Sequence, residues 1–172
     1  MITLHSICGK AASGKTTLAR ELAARHAPVL FGEDQWLTLL DAEINSLADH
    51  VRHSKRLKAA LAPLAVRLLQ LAVSVVFDFA GNTPNDRAWV RSIFKSANAD
   101  HALHYIVASD ESCKARLRLR NETKPEGVYF SFVSEDRFDE VTRYFMPPSD
   151  QENFQVIYYE ADAPSSEGSG RA

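Results

Sequence analysis

The residues most ready for chemistry lie near the start of the chain, in Gly9-Lys10-Ala11-Ala12-Ser13-Gly14-Lys15-Thr16. They match the pattern G-x-x-x-x-G-K-[ST] at every fixed position. The two glycines permit backbone angles that let consecutive N–H groups converge on one anion. The Lys15 ammonium can reach the outer phosphates of a nucleotide, and the Thr16 hydroxyl can ligate Mg2+. An apolar strand ends at Cys8 and an amphipathic helix begins at Lys15, so the positive end of that helix faces the same phosphates. A chance match in a glycine turn would lack this strand–loop–helix setting. Gly9 through Thr16, with Thr17 behind them, are expected to hold the phosphates of ATP.

Two acids fall where the strands of a parallel sheet would end, which is where ligands gather in such sheets. Asp78 follows the β-branched run Val75-Val76-Phe77. A carboxylate beside such a run is costly without a partner; it can hold Mg2+ directly or through water, or it can cap a helix. Asp34 follows a second short apolar run, in Phe31-Gly32-Glu33-Asp34. Its position suits a base that takes the proton from an acceptor hydroxyl. Glu33 beside it is the other candidate for that role, and both acids also suit the first turn of a helix.

Arginines supply the complementary charge. Arg116 and Arg120 are four apart and share one helix face. Arg120 stands where a glycine-containing stretch begins, placed to swing over a nucleotide as a lid closes; the alternative is a basic helix end that complements the macrodipole. Arg137 and Arg143 are weaker candidates of the same kind. The six histidines are scattered, and His50 with His53 does not make a metal site. Trp36 can line a substrate pocket or pack under the helix that follows it.

These groups need a scaffold, and the chain has the means to build one. Its 172 residues suit one domain of ordinary size, 45% of them apolar, and the 24% charged residues give an ordinary polar surface. A formal net charge of -2 argues against a broad basic face for nucleic acid. The two cysteines imply no disulfide framework. No apolar run approaches the roughly 20 residues of a membrane span, and the N-terminus enters a strand without a basic flank or cleavage signal. A soluble, cytoplasmic protein is expected.

Short apolar strands alternate with helical stretches, which predicts a three-layer α/β sandwich on a five-stranded parallel sheet. Strands are expected at 2–8, 29–31, 73–79, 104–108 and 154–159. Helices are expected from Lys15 to about His26, and from Glu33 to about Ala72 in two or more pieces broken near 49–53 and at Pro63. Another follows a capping-box-like Thr83-Pro84-Asn85-Asp86, with Trp89, Val90, Ile93 and Phe94 inward. Ser109 caps a helix to about Arg120, and a short one runs from about Glu135 to Phe145. Trp89, Phe94 and the leucines from Leu64 to Leu71 are expected in the core. Residues 1–160 form the domain, 121–135 its lid, and 161–172 a disordered tail.

With these segments together, the chain resembles the bacterial P-loop small-molecule kinases, the AAA-domain, zeta-toxin-like ATPases. It is similar to chloramphenicol phosphotransferase and to the kinase domain of polynucleotide kinase. The segments that carry the resemblance are Gly9–Thr16, Phe31–Asp34, Val75–Phe79 with Asn82-Thr83-Pro84, and Cys113–Asn121. It implies a P-loop NTPase fold of the nucleotide- and shikimate-kinase type with strand order 2-3-1-4-5. It further implies Asp34 as general base and Arg120 as a contact to ATP phosphates. One departure stands out. Polynucleotide kinase has an arginine shortly after its catalytic aspartate, whereas Trp36-Leu37-Thr38-Leu39 stands here, which points away from nucleic-acid ends.

The activity expected is an ATP- and Mg2+-dependent transfer of the γ-phosphate to a hydroxyl of a small, partly apolar molecule. Lys15 and Arg120 would steady the phosphoryl group, Thr16 and Asp78 the Mg2+, and Asp34 the acceptor. The rival readings are a nucleoside, nucleotide or nucleic-acid-end kinase, and an ATP-binding switch without transfer chemistry.

Overall fold

Parallel strands need helical crossovers, and the alternation of apolar runs with amphipathic stretches provides them. The computed structural model describes residues 1–26, 28–40 and 43–162. In chain order its elements are β1 (Thr3–Cys8), α1 (Lys15–His26), β2 (Val29–Gly32), α2 (Glu33–Leu39), α3 (Leu47–Gln70), β3 (Val75–Ala80), α4 (Pro84–Ala97), β4 (Asp100–Val107), α5 (Asp110–Thr123), α6 (Glu135–Thr142) and β5 (Val156–Glu160). The sheet order is β2-β3-β1-β4-β5, and every pairing is parallel. The three-layer fold and its order are as the sequence implied.

Each sheet face has its own core. Leu4, Phe31, Val75, Phe77 and Phe79 pack against Leu57, Leu61 and Leu69 of α3 and Val90, Ile93 and Phe94 of α4. On the other face Ile7, Val76 and Ile106 meet Ala19 and Leu22 of α1. A small third cluster, Cys113, Leu117 and Phe138, joins α5 to α6 and touches Ala11 and Ala12. The glycine-rich loop therefore rests on α5 and α6 as well as on the sheet.

Several element-level expectations need correction. In the long helical region α2 ends at Leu39 and α3 begins at Leu47, with no break at 49–53 or Pro63; Ser46 caps α3, which runs through Pro63. An unbroken buried stripe of Ser54, Leu57, Leu61, Ala65 and Leu69 holds the helix together, offsetting the roughly 3 kcal/mol that an interior proline costs. That stripe leaves Leu64 and Leu71 46% and 56% exposed, so those two are surface rather than core. Strand β4 starts at Asp100, four residues before His104, and α6 ends at Thr142, short of Phe145. At the end of the described chain the Ala161 amide donates to the Val107 carbonyl at 3.0 Å, and an Asp162 carboxylate oxygen accepts from the Ser109 amide at 2.7 Å. The rest of the tail, from residue 163, lies outside the described residues.

Among the described residues no helix is long and apolar enough to cross a membrane.

Candidate active site

Buried Ile7 and Cys8 end β1, and the chain then turns tightly into α1. A side chain at Gly9 would put its Cβ 2.6 Å from the Ser13 hydroxyl oxygen and 3.1 Å from the Ile106 carbonyl, so only glycine fits. Ala12 and Gly14 are left-handed, with φ of 56° and 110°, and open space lies beyond the missing Cβ of Gly14. The curl is supported from outside. The Gly9 amide donates to Asn82 Oδ1 at 2.9 Å, Lys10 pairs with Asp110 at 2.5 Å, and Arg116 donates to the Ser13 carbonyl at 3.3 Å and the Ala161 carbonyl at 2.7 Å. Arg116 thus props the loop rather than facing open space.

Inside the curl, polar groups await a partner. Ser13 Oγ is buried with no hydrogen-bond partner among the described residues. Lys15 Nζ folds back onto the Gly9 and Lys10 carbonyls at 2.8 and 2.7 Å. Burial holds its ammonium below the usual lysine range, against the opposing pull of Asp78 and Asp34. An orphaned hydroxyl, a left-handed cradle and a desolvated ammonium fit nucleotide phosphates.

Strand pairing sets the next residues. Gly32 of β2 lies opposite Asp78 of β3, so the start of α2 stands beside the Asp78 carboxylate at the carboxyl end of the sheet. Burial raises the pKa of Asp78, and the Thr16 hydroxyl hydrogen-bonded to it works in the opposite direction. A carboxylate and a hydroxyl together suit a hard divalent cation such as Mg2+.

A cleft of about 1060 Å3 opens beside the loop. One wall is Asp34, Leu37 and Thr38 of α2 with Ile44, Leu47 and His50 at the entry to α3; the other is Val128 and residues 130–134 with α6, and Ala11 and Arg120 complete the lining. Asp34 is exposed and lines this cleft, whereas Glu33 is buried and does not. Burial lowers the pKa of Arg120, and the Asp34 carboxylate counteracts that shift. Arg120 Nε is buried and has no hydrogen-bond partner among the described residues. Arg137 and Arg143 also line the cleft, Arg137 already paired with Glu140 at 2.6 Å. Trp36 is not among its lining residues; it packs on the core, its ring centroid 6.3 Å from that of Phe31.

A family profile described as an AAA domain matches residues 4–148. The chain belongs to the AAA domain family. Within the solved structures, this AAA-domain chain is similar to a candidate kinase from Chloroflexus aurantiacus (20% identity, 97% of this chain and 89% of that one, TM-score 0.73). It is also similar to Kti12 of Chaetomium thermophilum in complex with ADP-AlF3 (16% identity, 95% and 92% coverage, TM-score 0.70). A gluconokinase from Sinorhizobium meliloti shares the fold as well (13% identity, 94% and 84% coverage, TM-score 0.63). No curated protein matches the chain. At these identities the structural likeness speaks to the P-loop kinase-like fold.

Three contributors escaped the sequence. Asn82 was quoted only for its segment, yet it holds the loop's first amide. Arg87 is 1% exposed and donates to the carbonyls of Gly81 and Met146 at 3.0 and 2.9 Å and to both Glu152 oxygens at 2.7 Å. It thereby fixes the chain that leaves α6 against the end of β3. His50 is the third. Only its spacing of four from Ser54 and eight from Lys58 hinted that it shares their helix face.

Proposed function

We propose that this AAA-domain chain is a phosphotransferase that uses ATP and Mg2+ to phosphorylate a hydroxyl group of a small molecule. The observation that carries the reading is that Asp34 and Arg120 line one cleft beside the loop. A base and a positive charge are then available to the two ends of one transfer.

Loop amides and Lys15 hold the β- and γ-phosphates, with Thr17 one residue further along α1. Thr16 and Asp78 would hold Mg2+, which supplies charge neutralisation and alignment of the phosphates when bound. Asp34 orients the acceptor hydroxyl and takes its proton as the oxygen bonds to phosphorus. Arg120 offsets charge on the phosphoryl group, carried inward by a lid formed from residues 121–135. Glu33 is not the base in this reading, because it is buried and does not line the cleft.

The acceptor occupies the space between Asp34 and the two apolar walls. Leu37, Ile44 and Leu47 stand on one side and Val128, Phe130 and the 68% exposed Phe132 on the other. That pairing supports an acceptor with an apolar portion. The test is a transfer screen with purified protein, Mg2+, γ-labelled ATP and a panel of sugars, nucleosides, amino alcohols and antibiotics. Labelled product from a small hydroxyl compound supports the reading. Transfer to nucleosides or oligonucleotide ends replaces it with a nucleoside or nucleic-acid-end kinase, and intact ATP throughout with a nucleotide-binding switch.

A further inference from the structure

The segment that walls the cleft opposite Asp34 is fastened at its base and at its tip. At the base, Asn121 Nδ2 donates to the Val133 carbonyl at 2.7 Å and Asn121 Oδ1 accepts from the Val133 amide at 3.4 Å. Val133 also packs on the buried Cys113, Leu117 and Phe138. The tip is a turn of its own. The Val128 and Tyr129 amides both donate to the Pro125 carbonyl, at 3.2 and 2.9 Å, and the Lys124 ammonium stands 5.9 Å from the centroid of the Tyr129 ring. Arg20 of α1, 107 residues away in sequence, donates to the Gly127 carbonyl at 2.6 Å. Gly127 is shaped for that contact. Its φ of 70° is left-handed, and a Cβ there would stand 2.8 Å from Arg20 Cζ, so any side chain displaces the guanidinium. Arg20 is four residues beyond Thr16 and shares its face of α1, which seats the tip toward the phosphate end of the site.

We propose that Arg20 is a positioning residue, the latch that keeps the lid closed so that the phosphoryl group passes to the acceptor and not to water. This rests on the phosphotransferase reading of the same cleft. Between the pinned base and the latched tip run Val128, Phe130 and Phe132, the apolar residues of the wall opposite Leu37, Ile44 and Leu47. Arg20 does not line the cleft itself, so it acts through them. Its side chain is exposed. A charged donor on a carbonyl at the surface is strong enough to bias the lid and weak enough to break in each turnover. With the latch broken the apolar wall swings away and water reaches Asp34. The water oxygen then bonds to the γ-phosphorus as the bond to the ADP oxygen breaks. Asp34 takes the proton, and ADP and inorganic phosphate depart. The latch thus decides between transfer and hydrolysis without touching either reactant.

Two measurements on the full chain test this. The first needs no turnover: chymotrypsin digestion read by mass spectrometry for cleavage after Tyr129 and Phe130. Arg20→Met and Gly127→Ala should each speed these cuts about 5-fold or more, with cuts elsewhere in the chain unchanged. The double variant should be no faster than the faster single one, because both changes remove one contact. Cutting within about twofold of wild type in both single variants overturns the latch. The second measurement is the ratio of inorganic phosphate to phosphorylated product at saturating Mg-ATP with the best acceptor of the screen. Arg20→Met should raise this ratio about 5-fold or more and lower kcat for transfer, and Arg20→Lys, which keeps a donor, should recover part of both. An unchanged ratio in Arg20→Met overturns the proposal, and so does faster transfer, which would make the contact a brake. If the wild-type chain neither transfers nor hydrolyses, the kinase reading fails, and the digestion rates still decide the latch.

Discussion

The Gly9 amide donates to the side-chain oxygen of Asn82 at 2.9 Å, tying the first residue of the phosphate-binding loop to the connection after β3. The residues that follow continue the bracing, because Thr83 and Asp86 form the capping box of α4 and Asp86 also takes Lys58 of α3. Loop, sheet end and acceptor wall are thus held by one set of polar contacts. A single hydrogen bond of this kind contributes about 0.5–1.5 kcal/mol. Asn82→Ala should therefore weaken ATP binding about 3- to 10-fold with little change in thermal stability, as read by calorimetric titration and by melting. Unchanged affinity would mean that the loop keeps its shape without this brace.

Arg87 should matter for stability more than for catalysis. Its guanidinium is buried and bidentate on Glu152, and it also donates to the backbone carbonyls of Gly81, Met146 and Pro147. Removing one partner of such a pair costs about 3–5 kcal/mol, and the 18% side-chain exposure of Glu152 favours the lower end. Urea unfolding of Arg87→Met should show that loss, and adding Glu152→Gln should restore part of it. A loss under 1 kcal/mol would make the cluster ornamental.

Acid should destabilise the chain through His104. Its ring is hydrogen-bonded to His5 at 3.0 Å and to the Tyr159 hydroxyl at 2.8 Å. Burial, with His5 adding to it, lowers the pKa of His104 from 6.5 to about 4. The unfolded chain then binds the proton first, so stability is full above 6.5 and is lost as the pH falls toward 4. The contribution is on the order of 3 kcal/mol. Unfolding free energies at pH 7, 5.5 and 4.5 should fall less steeply in His104→Gln than in wild type; parallel curves would remove His104 from the account.

How far the sequence led depends on the range of the contacts involved. The loop, the strand cores and the placement of Asp34 just after β2 were legible because each is set by neighbours within a few residues. Pro63 misled because a local breaker was outweighed by a stripe of buried side chains spread over four turns of α3. Arg87 was invisible, since its partner Glu152 lies 65 residues away and nothing local marks either. The division between Glu33 and Asp34 could not be read from an acidic pair at a helix start. It depends on how α3 packs against α2, and therefore on where α3 begins.

The central claim is that Asp34 is the base of a phosphoryl transfer at this cleft. The most direct measurement is single-turnover transfer by Asp34→Asn with Mg-ATP and the preferred acceptor of the screen, beside ATP affinity of the same variant. A general base contributes about 100- to 10,000-fold, so the rate should fall by that factor while the ATP dissociation constant stays within threefold. Transfer at the wild-type rate by Asp34→Asn would contradict the account.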